Sequence, residues 1–227
     1  MVIGMRKKII TKEIFNMNKL FVFGCSLSTG FGGHDCIIEH NKTWPKLLAD
    51  KLNLQLDNSA HAGQCNWVSI LQFIDKRDEI RKGDVVIFEF TFFDRYNIYP
   101  TRAQLIDLES FFIQHKHDLN DVMKQYKDIN FNWFKKQILK WCKDNDIKLC
   151  VWSTEGQTHQ EFKRYKDIIQ FIAAPNSTID NPNYSFYYKW QDITTDQHIV
   201  KQNGEIDRHF NELGHERMAN HIYSNII

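Results

Sequence analysis

Two short segments near opposite ends of the chain hold residues that together could perform acyl chemistry. Lys19-Leu-Phe-Val-Phe-Gly-Cys-Ser26 is an apolar run that breaks at Gly24 and presents Ser26. Asp207-Arg-His-Phe-Asn-Glu-Leu-Gly-His215 supplies an acid and two histidines. A serine hydroxyl is a weak nucleophile until a base takes its proton. The usual base is a histidine whose other ring nitrogen is held by a carboxylate. Taken alone, Ser26 reads first as a helix N-cap or a turn residue. Ser28 and Thr29 compete for the role on the same loop, and Cys25 is a nucleophile whose side chain turns into the fold if the strand reaches it.

The elements that must position these groups are set by hydrophobic patterning. Leu20 to Gly24, Leu54 to Asp57, Val85 to Phe90 and Leu149 to Ser153 read as short strands, and the unbroken apolar character of 85–90 implies burial on both faces. Between them lie helical patterns. One has Thr43 as N-cap, Pro45 in its first turn and Trp44, Leu47, Leu48 and Leu52 at helical spacing. A second starts at Asn66 as N-cap and carries Val68, Leu71, Ile74 and Ile80. Residues 103–145 read as mostly helical with a break near His117 to Asn120, Glu161 to Phe171 as helix, 174–205 as a long loop, and Asn211 or Glu212 to Asn225 as the closing helix. Strands alternating with helices predict a three-layer α/β sandwich around a central parallel sheet. Ligands of such sheets lie outside the carboxyl ends of the strands. Ser26 follows the first strand, Gly63 the second and Thr91 the third, while His209 precedes the last helix, so all four fall on one edge. Residues 1–18 read as an extension or edge element, with Met17 a second candidate start, and 19–227 as a single domain.

Phe23-Gly-Cys-Ser-Leu-Ser28 resembles the Gly-Asp-Ser-Leu motif of the SGNH (GDSL-type) hydrolase superfamily, with Cys25 in place of the acidic residue. The resemblance implies a flavodoxin-like strand order and Ser26 as nucleophile, with its own N–H in the oxyanion hole. Asn58-Ser-Ala-His-Ala-Gly-Gln-Cys-Asn66 is similar to the second motif, which implies Gly63 as a further N–H donor; a loop glycine at positive φ is the bland alternative. The third motif departs. Phe92 stands about where an asparagine is expected, and Thr91, Arg95 or Asn97 are the replacements for that donor, Thr91 and Arg95 first. Arg95 reads as readily as a substrate-anion contact or a surface ion pair. His209-Phe-Asn-Glu-Leu-Gly214 is similar to the final motif, with Phe210 replacing proline, and registers His209 rather than His215 as the base. The family's acid lies three residues before the histidine, where this chain has Ile206. Asp207 is the candidate acid, Glu205 the fallback, and a dyad oriented by a backbone carbonyl the third option. The implied reaction is hydrolysis of an oxygen ester through an acyl-enzyme, on a small-molecule or glycan ester such as a carbohydrate O-acetyl group. Acyl transfer to a sugar hydroxyl, or a degenerate member that only binds glycan or protein, are the rivals.

The totals bound these readings. The chain has 227 residues, 42% hydrophobic and 25% charged, with a formal net charge of +1. That balance provides no global field for nucleic acid or an anionic membrane. The aromatic share of 14% implies a large aromatic core, including Phe131, Trp133, Phe134 and Trp141; Tyr184, Phe186, Tyr187, Tyr188 and Trp190 fall in the long loop as loop anchors or sugar-stacking groups. Five cysteines without zinc-type spacing read as reduced thiols of an intracellular protein. No segment reads as a signal peptide or membrane span, so a cytoplasmic location is expected. The histidines show no ligand spacing, so no metal or other cofactor is expected.

Overall fold

The computed structural model describes residues 17–30, 37–91, 119–153, 162, 164–165, 167–172, 199–200, 206–207 and 209–227. Among these, β1 (Lys19–Phe23), β2 (Gln55–Asn58), β3 (Val85–Phe90), β4 (Lys148–Ser153) and β5 (Gln170–Phe171) form one sheet in the order β2-β1-β3-β4-β5. All four pairings are parallel, with Val22 opposite both Asn58 and Ile87, and Phe88 between Phe23 and Val151. This is the flavodoxin-like order that the sequence resemblance implied. The chain lays β2 on one side of β1 and then crosses to place β3 on the other, which opens a crevice at the carboxyl ends of β1 and β3.

Side-chain alternation along the strands separates two cores. Leu20, Val22, Val85, Ile87, Cys150 and Trp152 point to one face. There α2 (Trp44–Leu52) and the closing helix Glu212–Ile226 cover them with Trp44, Leu48, Met218 and Ile222. Phe21, Phe23, Val86, Phe88, Phe90 and Val151 point to the other. That face is covered by α3 (Asn66–Lys76) through Ile70 and Phe73, and by the helical run 119–144 through Phe131, Phe134 and Ile138. The second core is where many of the aromatic residues go: Phe90 meets Phe134 and Phe162 edge-on at 4.9 and 5.2 Å between ring centroids. Of the four aromatic residues read as core in the 131–141 stretch, Phe131 and Phe134 are buried, Trp141 is partly buried against this core, and Trp133 is 39% exposed.

The structure corrects three local readings. The N-cap of α3 is Cys65, and Asn66 is already helical. Its buried face carries Ile70 and Phe73 rather than Val68 and Leu71, because the amide of Asn66 is drawn to the end of β3 and sets the helix rotation. Thr43, by contrast, is the N-cap of α2 as read, though without a side-chain cap bond; its hydroxyl donates backwards to the His40 carbonyl. Residues 161–171 are not one helix. Gln170 and Phe171 form β5 against Cys150 and Val151, a pairing that only the open edge of β4 makes favourable. Finally, the long loop contains Ile199–Val200, an antiparallel partner for Ile206–Asp207, labelled β6 and β7.

Candidate active site

Ser26 is the first residue of a single helical turn, α1 (Ser26–Thr29), which starts where β1 ends and stops at Gly30 in the left-handed region at φ 84°. Ser26 is 5% exposed. Its Oγ lies 2.9 Å from His209 Nε2, across 183 residues of sequence. When the hydroxyl donates in this pair, Nε2 accepts and the ring proton sits on Nδ1. The residues just after His209 hold it in place. Asn211 caps the closing helix, its side-chain oxygen accepting from the Gly214 N–H at 2.9 Å. Phe210 is buried and packs edge-on to His215 at 5.5 Å between ring centroids. Asn211, two residues beyond His209, thus starts the helix with Gly214 as its partner, and Phe210 anchors the chain between His209 and that cap.

The two competing hydroxyls have other partners. Ser28 Oγ donates to the Glu89 carboxylate, and Thr29 Oγ1 donates to the Ser26 carbonyl at 2.9 Å. The side chain of Cys25 is buried, with Sγ 2.8 Å from Glu89 Oε1 and 3.2 Å from Thr91 Oγ1. The thiols of Cys142 and Cys150 are pushed up to about 12 by burial, which leaves them protonated and poor nucleophiles.

The loop after β2 is stitched to the turn that carries Ser26. Asn58 Nδ2 donates to the Ser28 carbonyl at 2.8 Å, and its oxygen accepts from the Ala60 N–H. The Ser59 N–H reaches the Val22 carbonyl and the His61 N–H the Gly24 carbonyl, at 2.9 and 3.3 Å. Gly63 has φ +75°, and a Cβ placed there would meet nothing within 4 Å. The left-handed backbone, not lack of room, is therefore what calls for glycine at this position.

Glu89 escaped the sequence reading. It is fully buried at the end of β3 and accepts from the Cys25 N–H at 3.0 Å as well as from the Cys25 thiol and Ser28 hydroxyl. The signal was present: Glu89 is the only charged residue in a strand otherwise made of Val, Ile and Phe, and lone charges are seldom fully buried. Asn66 was also misjudged. Its amide forms two bonds with the Thr91 backbone, accepting from N at 2.9 Å and donating to O at 3.0 Å. That pair clamps α3 to the point where the chain leaves β3.

Asp207 lies in β7, paired with Ile199 and two residues before His209. Phe92, Arg95, Asn97 and Glu205 lie outside the described residues, as do residues 1–16, Cys36 and the aromatic residues of 184–190. His215 is buried, and its Nδ1 accepts from the Trp44 N–H at 3.1 Å. Burial, then the neighbouring charge of His209, lowers its pKa from 6.5 to about 4. Among the described residues no group of three or more His, Cys, Asp or Glu is placed to hold a metal ion, and no helix is long and apolar enough to cross a membrane.

No protein-family model matches the sequence, and no curated protein matches it significantly. Solved structures do match. The crystal structure of TesA aligns over 92% of this chain and 98% of its own at 10% identity, with a TM-score of 0.54. The lipase Lip_vut3 from a goat rumen metagenome aligns over 92% and 97% at 11% identity, again with a TM-score of 0.54. A member of the lipolytic protein G-D-S-L family from Veillonella parvula covers 91% and 96% at 12% identity, with a TM-score of 0.47. At such identities the first two likenesses establish the fold alone: the described residues have the three-layer α/β fold of these two proteins.

Proposed function

We propose that this protein is a serine hydrolase that cleaves an oxygen ester through an acyl-enzyme. The observation that carries the reading is the 2.9 Å approach of His209 Nε2 to Ser26 Oγ, at the carboxyl edge of a parallel sheet where ligands of such folds bind. Ser26 attacks the acyl carbon while His209 takes its proton. His209 then returns that proton to the departing alkoxide, and water activated by the same imidazole releases the acid. Asp207 orients the imidazole through its second nitrogen. The N–H groups of Ser26 and Gly63 stabilise the oxyanion, joined by Thr91, Arg95 or Asn97. The hydroxyl of Thr91 already faces the Cys25 thiol in the interior, which favours Arg95 or Asn97 for that third contact. The neighbours of like fold include a lipase, which agrees with ester substrates in general. A small-molecule or glycan ester with a small acyl group, such as carbohydrate O-acetyl, is the substrate class we favour.

Labelling with a fluorophosphonate probe, followed by mass mapping, tests this directly. The adduct is expected on Ser26 and is lost in His209→Ala. Hydrolysis of p-nitrophenyl acetate should fall by about 10⁴-fold or more in Ser26→Ala and by about 10⁴-fold in Asp207→Asn. Folded protein that neither labels nor turns over any ester would sink the proposal in favour of a binding-only role.

A further inference from the structure

We infer that Glu89 is a positioning residue: its buried carboxylate holds the turn that carries Ser26 in the geometry acyl transfer requires. The inference rests on the serine-hydrolase reading and names the part of the fold that sustains it.

The carboxylate grips the turn on both sides of the nucleophile. Glu89 Oε2 accepts from the backbone N–H of Cys25, the residue before Ser26, at 3.0 Å. The same oxygen accepts from the hydroxyl of Ser28, two residues after it. Oε1 takes the Cys25 thiol at 2.8 Å. Each of these partners is a donor, matching a group that, when ionised, only accepts. Cys25 is the N-cap of α1 and offers no side-chain cap of its own, so a single turn too short to be stable alone is held from β3 instead. Gly24 belongs to the same device. A Cβ there would lie 2.5 Å from Glu89 Oε2 and 2.6 Å from Glu89 Cβ, so the glycine provides the room that lets the carboxylate reach the turn.

Stability alone does not explain such a residue. Replacing a buried charge by a well-packed apolar group is often neutral or stabilising, and β3 is otherwise apolar throughout. What the carboxylate contributes is direction. With the Cys25 N–H and the Ser28 hydroxyl tied to one oxygen, the rotation of α1 is set, and with it the aim of the Ser26 hydroxyl toward His209 and of the Ser26 N–H toward the oxyanion. Displacements of about 1 Å in such groups cost on the order of 10² in rate.

The test uses the full chain with p-nitrophenyl acetate and a fluorophosphonate. Glu89→Gln preserves the shape but turns one acceptor into a donor facing donors. We expect kcat to fall about 10²-fold with KM within about threefold, the pattern of an interaction realised in the transition state. Labelling of Ser26 should slow by a comparable factor while circular dichroism and the folded fraction at 25 °C stay as in the wild type. Ser28→Ala removes one of the ties and should lower kcat about tenfold, and the double variant should be no slower than Glu89→Gln alone. Glu89→Gln that is folded with wild-type kcat and labelling rate overturns the inference, as does simple additivity in the double variant. If Glu89→Gln does not fold, wild-type kcat in Ser28→Ala overturns it. Wild-type protein that neither labels nor hydrolyses ester would remove the serine-hydrolase reading itself, whereas active wild type with undiminished variants removes only the role of Glu89.

Discussion

The approach of His209 to Ser26 involves residues packed beneath the turn that carries Ser26. Ser26 faces His209 because Gly24, Cys25 and Ser28 accommodate the Glu89 carboxylate beneath the turn. Gly24 and Gly63 illustrate two different reasons for glycine. Gly63 sits at positive φ with open space around it, while Gly24 has no room for a methyl group beside Glu89. Gly24→Ala must push the Cβ of Glu89 as well as its carboxylate, and overpacking of this kind costs about 1–3 kcal/mol. We expect a variant with a lower Tm in calorimetry and with turnover reduced beyond what the loss of folded protein explains. The sequence singled out Ser26 and His209 by motif and spacing, and the structure brings them together, but the sequence was silent on Glu89. A carboxylate in an apolar strand announces that something pairs with it, yet the partners lie more than sixty residues away in sequence.

Among the described elements, the junction of α2 with the closing helix holds a buried histidine. His215 Nδ1 accepts the Trp44 N–H at 3.1 Å, and Trp44 Nε1 donates to the Leu27 carbonyl at 2.8 Å. A chain of two bonds thus links the helix after His209 to the residue after Ser26. His215 must stay neutral to accept. Its pKa is about 4 in the fold against 6.5 ordinarily, so the unfolded chain binds the proton first as pH falls. The stability this group contributes is complete above about pH 6.5, declines through the interval down to pH 4, and amounts to roughly 3 kcal/mol. Urea denaturation at pH 7 and pH 4.5 should show the loss in the wild type. His215→Gln, whose amide oxygen can accept without titrating, should be less stable at pH 7 but lose less on acidification. Equal losses in both proteins would show that His215 is not the titrating group. At neither of two helix starts does the side chain expected to cap it make a cap bond. Asn66 and Thr43 carry side chains that suit helix caps, but Asn66 is drawn to the Thr91 backbone and the first N–H of α2 is satisfied by His215. Local chemistry named the helix starts to within a residue and could not name their partners.

The whole molecule is a sheet between two unlike cores. The aromatic half is built around Phe88, Phe90, Phe131, Phe134 and Phe162. Phe90 is its centre, and Phe90→Ala should cost about 3–5 kcal/mol while leaving a single cooperative transition in guanidinium, since both cores share the same strands. Two separated transitions would show that the halves unfold independently. The sequence by itself determined the alternation of strands and helices, the parallel sheet that this alternation implies, and the edge on which Ser26, Gly63, Thr91 and His209 fall. These rest on period and order along the chain, which are local properties. Tertiary structure alone decided that His209 Nε2 stands 2.9 Å from Ser26 Oγ, that two residues after position 169 pair as β5, and that a buried glutamate bonds the turn that carries Ser26. Each of those depends on where separate segments meet, and a meeting between residues 20 positions apart, as for Cys150 and Gln170, or as many as 183 leaves no periodic trace in either segment.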